Sequence, residues 1–233
     1  MTTDESTESS ESTDSKRRYL RRGLIGTAVA LLASAGVSIW GWIHIPEDAR
    51  IPTHWNGSGT ADGFSGKTGA LVELPLVMLA VSALFAALPF LIPRQEMAAR
   101  ARFMTAVWMG LLLLFLGGHG AIIINATGGE IPVVRVAFAG VGILYLLLGN
   151  YLPKIRGGSA TGTGGRQAAQ DLQITPRAQR MAGRMFAGLG LIMLAFGFVL
   201  PVPALTAILL VGTVATGLTV TFYSWWSLDP RQS

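Results

Sequence analysis

Between Ile45 and Lys67 the chain reads IPEDARIPTHWNGSGTADGFSGK, which crowds His54, Trp55, Asn56, Asp62 and Lys67 into one short polar stretch. An imidazole, a carboxylate and an ammonium at this spacing have two ready uses. They can hydrogen-bond one another and the backbone as braces of a folded loop. They can also offer directed polar contacts to a ligand, with Trp55 and Phe64 as apolar anchors. Metal binding asks for more histidine or carboxylate ligands than His54 and Asp62 supply. Covalent catalysis asks for an activated nucleophile, and the chain has no cysteine and no serine placed by a motif beside the His–Asp pair. The stretch is therefore expected to bind and not to turn over, with no metal and no cofactor. Pro46 and Pro52 favour extended or turn backbone, and Asn56-Gly57, Gly59, Asp62-Gly63 and Gly66 supply turn chemistry. A compact, ordered cap is expected over residues 44–70.

Apolar segments must position that cap. Apolar residues make up 51% of the chain and charged ones only 13%, where an ordinary soluble domain carries about a quarter. Gly23 to Ile43 is uncharged and long enough to cross a ~30 Å hydrocarbon core. Ala33-Ser34-Ala35 behind a basic region has the look of a signal-peptide cleavage site, but the apolar run continues to Trp40 and Trp42, suited to an interfacial belt. Further spans are expected at 74–92, 103–127 and 133–152. Residues 185–228 are uncharged for twice the length one span needs, and Pro201-Val202-Pro203 divides them into a fifth and a sixth. The expected fold class is all-α: a polytopic membrane bundle of six transmembrane helices with an ordered extracytoplasmic loop between the first two. Residues 1–22 form an acidic, then basic tail, whose acidic part is expected to lack order. Residues 153–184 form a glycine-rich, basic loop.

Charge sets the orientation. The formal net charge is +5, but the cations cluster at the ends of apolar runs, which points to membrane orientation and not to direct nucleic-acid binding. Every lysine and arginine except Arg50, Lys67 and Arg135 falls in the tail, the 92–103 loop, the 153–184 loop or the carboxyl end. By the positive-inside rule both termini are cytoplasmic and the 44–70 loop lies outside. Glu73 and Arg135 share a depth near the outer interface and are expected to pair. His119 and Asn125 lie in the outer half of the third span, where interhelical hydrogen bonding is the leading expectation. Lining the path of a small-solute transporter or channel is the alternative. Walker, dinucleotide-binding and HExxH motifs are absent.

The pattern IP…IPTHWN..G..DGF..K, followed by an apolar segment with Leu74-Pro75, resembles the DUF1648 domain, which commonly sits at the front of SdpI-like bacterial membrane proteins. A second stretch, Gly149-Asn150-Tyr151-Leu152-Pro153-Lys154-Ile155-Arg156, is similar to the GN.LPKIR signature of the same proteins. On residues alone, Asn150 caps a helix end, Pro153 stops the helix, and Lys154 and Arg156 meet lipid phosphates. Past Arg156, where those proteins continue with an asparagine and a G-[IV]-R-T-P-W-T-L run, the similarity lapses: Gly157-Gly158 and a glycine-rich insert follow, and Ile174-Thr175-Pro176-Arg177 keeps the Thr-Pro of that run but lacks its tryptophan.

The resemblance divides the chain into a DUF1648-like region at 23–92 and an SdpI-like region at 103–228. It implies a multi-pass protein of the bacterial cytoplasmic membrane with an immunity or signalling role. In that role the outer loop senses or neutralises a secreted peptide toxin, and the cytoplasmic face docks a small repressor protein. The ligand-binding residues it implies are Pro52, His54, Trp55, Asn56, Gly59, Asp62 and Lys67, and the cytoplasmic motif is Gly149, Asn150, Pro153, Lys154 and Arg156. Membrane lipid is the remaining partner.

Overall fold

A computed structural model describes residues 3–92, 94–154 and 176–227. Helix α1 spans Thr3–His44, and strands β1 (Arg50–Trp55) and β2 (Ala61–Gly66) form an antiparallel hairpin. Helices α2 (Lys67–Leu91), α3 (Arg94–Ala126), α4 (Val133–Tyr151), α5 (Pro176–Phe196) and α6 (Val202–Ser227) follow, with a 3-10 turn over Leu152–Lys154. Among the described residues, α1, α2, α3, α4 and α6 are long and apolar enough to cross a membrane. Large apolar side chains such as Leu32, Leu91, Leu113 and Val211 face outward along them. That pattern suits a solvent of lipid, in which exposing leucine costs nothing.

Two segments differ from the sequence reading, and one expected ion pair does not form. The acidic segment expected to lack order is helical from Thr3 onward. Acidic residues at a helix start complement its dipole, and Arg18 reaches Asp14 one turn back at 3.3 Å. The fifth span is the other difference. Helix α5 ends at Phe196, before Pro201, and its first turns carry Arg177, Arg180 and Arg184 on one exposed face. Only Met185–Phe196 is uncharged helix, roughly 18 Å at ~1.5 Å per residue. The remaining length to Pro201 is a turn.

Helices α1, α2 and α3 share a core of Tyr19, Ala30, Met78, Trp108 and Leu112. Four polar side chains inside it are paired, as lipid surroundings demand. Thr27 Oγ1 meets Ser82 Oγ at 2.9 Å, Trp108 Nε1 donates to the same Ser82 Oγ at 3.2 Å, and Tyr19 donates to the Phe85 carbonyl at 2.8 Å. Helices α4 and α5 cross by backbone contact. A Cβ on Gly149 would lie 2.6 Å from the Gly183 carbonyl oxygen, and one on Gly190 would lie 2.6 Å from that of Gly142. Small residues at both crossings admit the close approach that stabilises helix pairs in lipid. Helix α6 joins through Phe138, Met193 and Leu205 and through Tyr145, whose hydroxyl meets Thr213 Oγ1 at 2.7 Å.

Arg135 does not pair with Glu73. Its guanidinium donates to the carbonyls of Gly197 at 2.9 Å and Leu200 at 3.1 Å, which the α5–α6 turn leaves without helical partners. Glu73 instead accepts from Ser65 of the hairpin. Asn125 closes the 127–132 turn, its Nδ2 donating to the Ile131 carbonyl and its Oδ1 accepting from the Ile131 amide, both at 2.6 Å. Both of its polar atoms are thus engaged locally and not turned along a path.

Candidate functional site

The polar loop is a bulged β-hairpin seated on the ends of α1, α2 and α3. Arg50 pairs with Gly66, Ile51 with Ser65 and Pro52 with Phe64; the register then shifts, and His54 pairs with Gly63 and Trp55 with Ala61. Both strands are edges, so Pro52 can sit in β1 despite its missing donor. Asn56 organises the connecting turn. Its Oδ1 accepts from the Ser58 amide at 3.0 Å, the Ser58 hydroxyl at 2.6 Å and the Thr60 amide at 3.1 Å. Gly59 supplies the positive φ of 84° that the turn requires.

Strand alternation gives the hairpin two faces. On the inner one, Ile51 is buried and Trp55 half-buried against Ile45, Ala70, Leu71, Ile122 and Ile123. On the outer one, His54 Nδ1 meets Asp62 Oδ1 at 2.6 Å across the strands, with the side chains 72% and 45% exposed. Beside this pair, the Arg50 guanidinium lies 5.6 Å from the centroid of the Phe64 ring, itself 50% exposed. The outer face thus displays an imidazole–carboxylate pair and an arginine-covered aromatic ring.

Lys67 sits beneath the hairpin. Its side chain is 6% exposed, Nζ donates to Glu47 Oε1 at 2.7 Å, and the ammonium lies 4.9 Å from the centroid of the Trp42 ring. Thr53 and Ser65 join hydroxyls at 3.2 Å on the way to Glu73. The far tip rests on the start of α6, where Thr206 Oγ1 donates to the Gly57 carbonyl at 2.9 Å. A Cβ on Gly59 would come within 2.9 Å of Val202. The hairpin is therefore held at both ends.

Of the residues expected to bind a ligand, the fold brings His54 and Asp62 together on the exposed face. Asn56 and Gly59 shape the turn, Pro52 lies in β1, Trp55 anchors the inner face and Lys67 ties the hairpin to its base. Reading the sequence missed Arg50, Glu47 and Thr206 as parts of the site and took Trp42 only for an interfacial residue, whereas Phe64, expected as an apolar anchor, is exposed on the outer face. Arg50 was findable from strand alternation around Ile51. Thr206 carried no signal, because its contact is 149 residues away in the chain. Among the described residues no three His, Cys, Asp or Glu side chains group as metal ligands.

The second motif lies at the opposite end of the bundle. Gly149 and Pro153 pack against Gly183 at the α4–α5 crossing, and Lys154 Nζ donates to Asn150 Oδ1 at 2.7 Å. Arg156 lies outside the described residues, as does the loop from 155 to 175.

Residues 29–79 match a family described as Domain of unknown function (DUF1648). The match takes in the outer part of α1, the whole hairpin and the first half of α2. No curated protein and no solved structure matches the chain.

Proposed function

We propose that this is an SdpI-like immunity and signalling protein of the bacterial cytoplasmic membrane, whose hairpin intercepts a secreted peptide toxin. The observation that carries the reading is the outer face of the hairpin: His54–Asp62 and Arg50–Phe64 are displayed to solvent on a scaffold fixed at base and tip. A rigid platform with one exposed aromatic and a few directed polar groups suits recognition of a peptide at low ordering cost. Charge narrows the partner. Five carboxylates (Glu47, Asp48, Asp62, Glu73 and Glu130) lie at the hairpin end against three cations, of which Lys67 and Arg135 are engaged internally and Arg50 is exposed over Phe64. A cationic amphipathic peptide fits that balance. By the positive-inside rule the hairpin faces outward and the arginine-bearing start of α5 faces the cytoplasm, where a small repressor protein would dock.

Protection assays test the reading. A sensitive bacterium expressing the chain is challenged with secreted cationic amphipathic peptides, and survival is compared with membrane protein level by immunoblot. Asp62→Asn and Phe64→Ala are expected to lose at least about tenfold in tolerated peptide concentration, the equivalent of ~1.4 kcal/mol of binding, while the protein still reaches the membrane. Full protection by both variants sinks the assignment of the hairpin. Absence of protection by the parent chain against every such peptide sinks the immunity role.

A further inference from the structure

The first turns of α5 carry a row of arginines on the side turned away from α4. Ala178, Ala182 and Gly183 are buried, and Gly183 and Gly190 press against the α4 backbone. Arg177, Arg180 and Arg184 are exposed and recur at the spacing of one helical stripe on the opposite side. Among the described residues none of these guanidiniums has an ion-pair or hydrogen-bond partner. The adjoining residues 155–175 bring Arg156 and Arg166 against the single carboxylate of Asp171. The neighbouring chain thus offers the arginines little anion.

Depth decides what kind of anion can reach them. Gly183 meets Gly149 and Gly190 meets Gly142, so α5 lies antiparallel along α4. Residues 133–154, which include α4, are long and apolar enough to cross a membrane. Gly149 stands about 7 Å inside the Lys154 end of that span at ~1.5 Å per residue. Arg184, next to Gly183, therefore leaves the helix where hydrocarbon begins, on the face turned to lipid. A guanidinium there must snorkel back to the interface and find its counter-charge at headgroup level. Beyond Arg184 the same stripe turns apolar: a Cβ on Gly188 would meet nothing within 4 Å, and Leu191 is 59% exposed. Cations at headgroup level followed by a smooth apolar strip match a molecule with phosphate at one end and acyl chains at the other. We propose that Arg177, Arg180 and Arg184 hold the phosphate headgroup of an anionic phospholipid, with an acyl chain along Gly188 and Leu191. The fork of a guanidinium fits two phosphate oxygens at once. Net charge selects among lipids, because a zwitterionic headgroup brings an ammonium that these arginines repel. The site is separate from the hairpin, so its test stands apart from that of peptide recognition.

Native mass spectrometry of the full chain in detergent provides that test. Phosphatidylglycerol and phosphatidylcholine with identical acyl chains are titrated, and the bound fraction of each is read. The parent chain is expected to prefer phosphatidylglycerol by at least about tenfold. Arg177→Gln, Arg180→Gln and Arg184→Gln together are expected to abolish the preference, and the same replacements at Arg17, Arg21 and Arg22 of α1 to leave most of it. No preference in the parent chain, an unchanged one in the α5 variant, or an equal loss in the α1 variant overturns the proposal. Glycerophosphate and polyglutamate are then added as competitors. Displacement of the lipid by either at equal concentration also overturns it, the first in favour of a soluble phosphate and the second in favour of an acidic protein. Should the α5 variant fail to reach the membrane, phosphatidylglycerol with a diazirine in its acyl chain is photocrosslinked to the parent chain. Label on α5 beyond Arg184 supports the site, and label confined to other helices overturns it.

Discussion

At the scale of single residues, the informative contrast is between Lys67 and Glu47. As a sequence letter, Lys67 closes a polar motif and invites the reading of a ligand contact. In the fold its ammonium is buried under the hairpin, facing the carboxylate of Glu47 and the ring of Trp42. The two halves of the pair are unequal, with lysine 6% and glutamate 80% exposed. Removing the carboxylate strands a buried charge, whereas removing the ammonium releases a carboxylate into water that already solvates it. Glu47→Ala is thus expected to destabilise the protein by about 1–3 kcal/mol, and Lys67→Met by less than about 1 kcal/mol. The double variant should resemble Lys67→Met. Thermal unfolding of the three purified proteins in detergent checks the order, and a larger loss for Lys67→Met than for Glu47→Ala contradicts it. His54 and Asp62 are the opposite case, for their pairing across the strands leaves both of them available on the surface.

At the scale of elements, spans were legible and crossings were not. Uncharged runs bounded by arginine or proline locate α1 to α4 and α6 closely, because in lipid the chain must satisfy its backbone within each helix. The end of α5 escaped that logic. Pro201 was the visible breaker, yet the helix stops at Phe196, where Arg135 of α4 takes up the carbonyls of Gly197 and Leu200. That arginine comes from another helix, and no local pattern announces it. The hairpin was legible as an ordered cap from its prolines and glycines. Its strand register was hidden, since two strands of six residues with a bulge leave almost no periodicity to count. In the motif around Gly149 the sequence shows a helix end and basic residues, while the structure adds a crossing with α5. Gly149→Val should therefore act on packing. Its Cβ would meet the Gly183 carbonyl at 2.6 Å and the Ala187 amide nitrogen at 2.7 Å. Backbone on both sides cannot swing away as a side chain would. A loss of at least about 2 kcal/mol is expected from the forced separation. Asn150→Ala, which loses only an exposed bond to Lys154, should stay within about 0.5 kcal/mol. Steric-trap unfolding in bicelles measures both, and near-equal stabilities would remove the crossing as the role of Gly149.

For the molecule as a whole, connections gather at its two ends. The hairpin, the α3–α4 turn and the α5–α6 turn share one end, tied by Thr206 to Gly57, Glu73 to Ser65 and Arg135 to the α5–α6 carbonyls. A Cβ on Gly57 would lie 3.4 Å from Thr206 Cγ2, which brings the two positions within disulfide reach. Gly57→Cys with Thr206→Cys should cross-link on mild oxidation, with a shift on non-reducing electrophoresis; no cross-link separates the tip from α6. The far end carries the exposed Arg17, Arg18, Arg21 and Arg22 of α1 and Arg177, Arg180 and Arg184 of α5. This asymmetry is what the positive-inside rule reads, and it is the basis on which we propose that the hairpin lies outside. The native chain has no cysteine, so single reporters can be placed without background. Cysteine in place of Ser58, on the exposed turn, is expected to react with an impermeant maleimide in intact cells. Cysteine in place of Ser159, which falls between α4 and α5 in the chain, is expected to react only after the membrane is opened. Each end then checks the other, because an even number of crossings between 58 and 159 would place both reporters on the same side. The reverse pattern inverts the bundle and would bring the hairpin to the cytoplasm, where no secreted peptide could meet it.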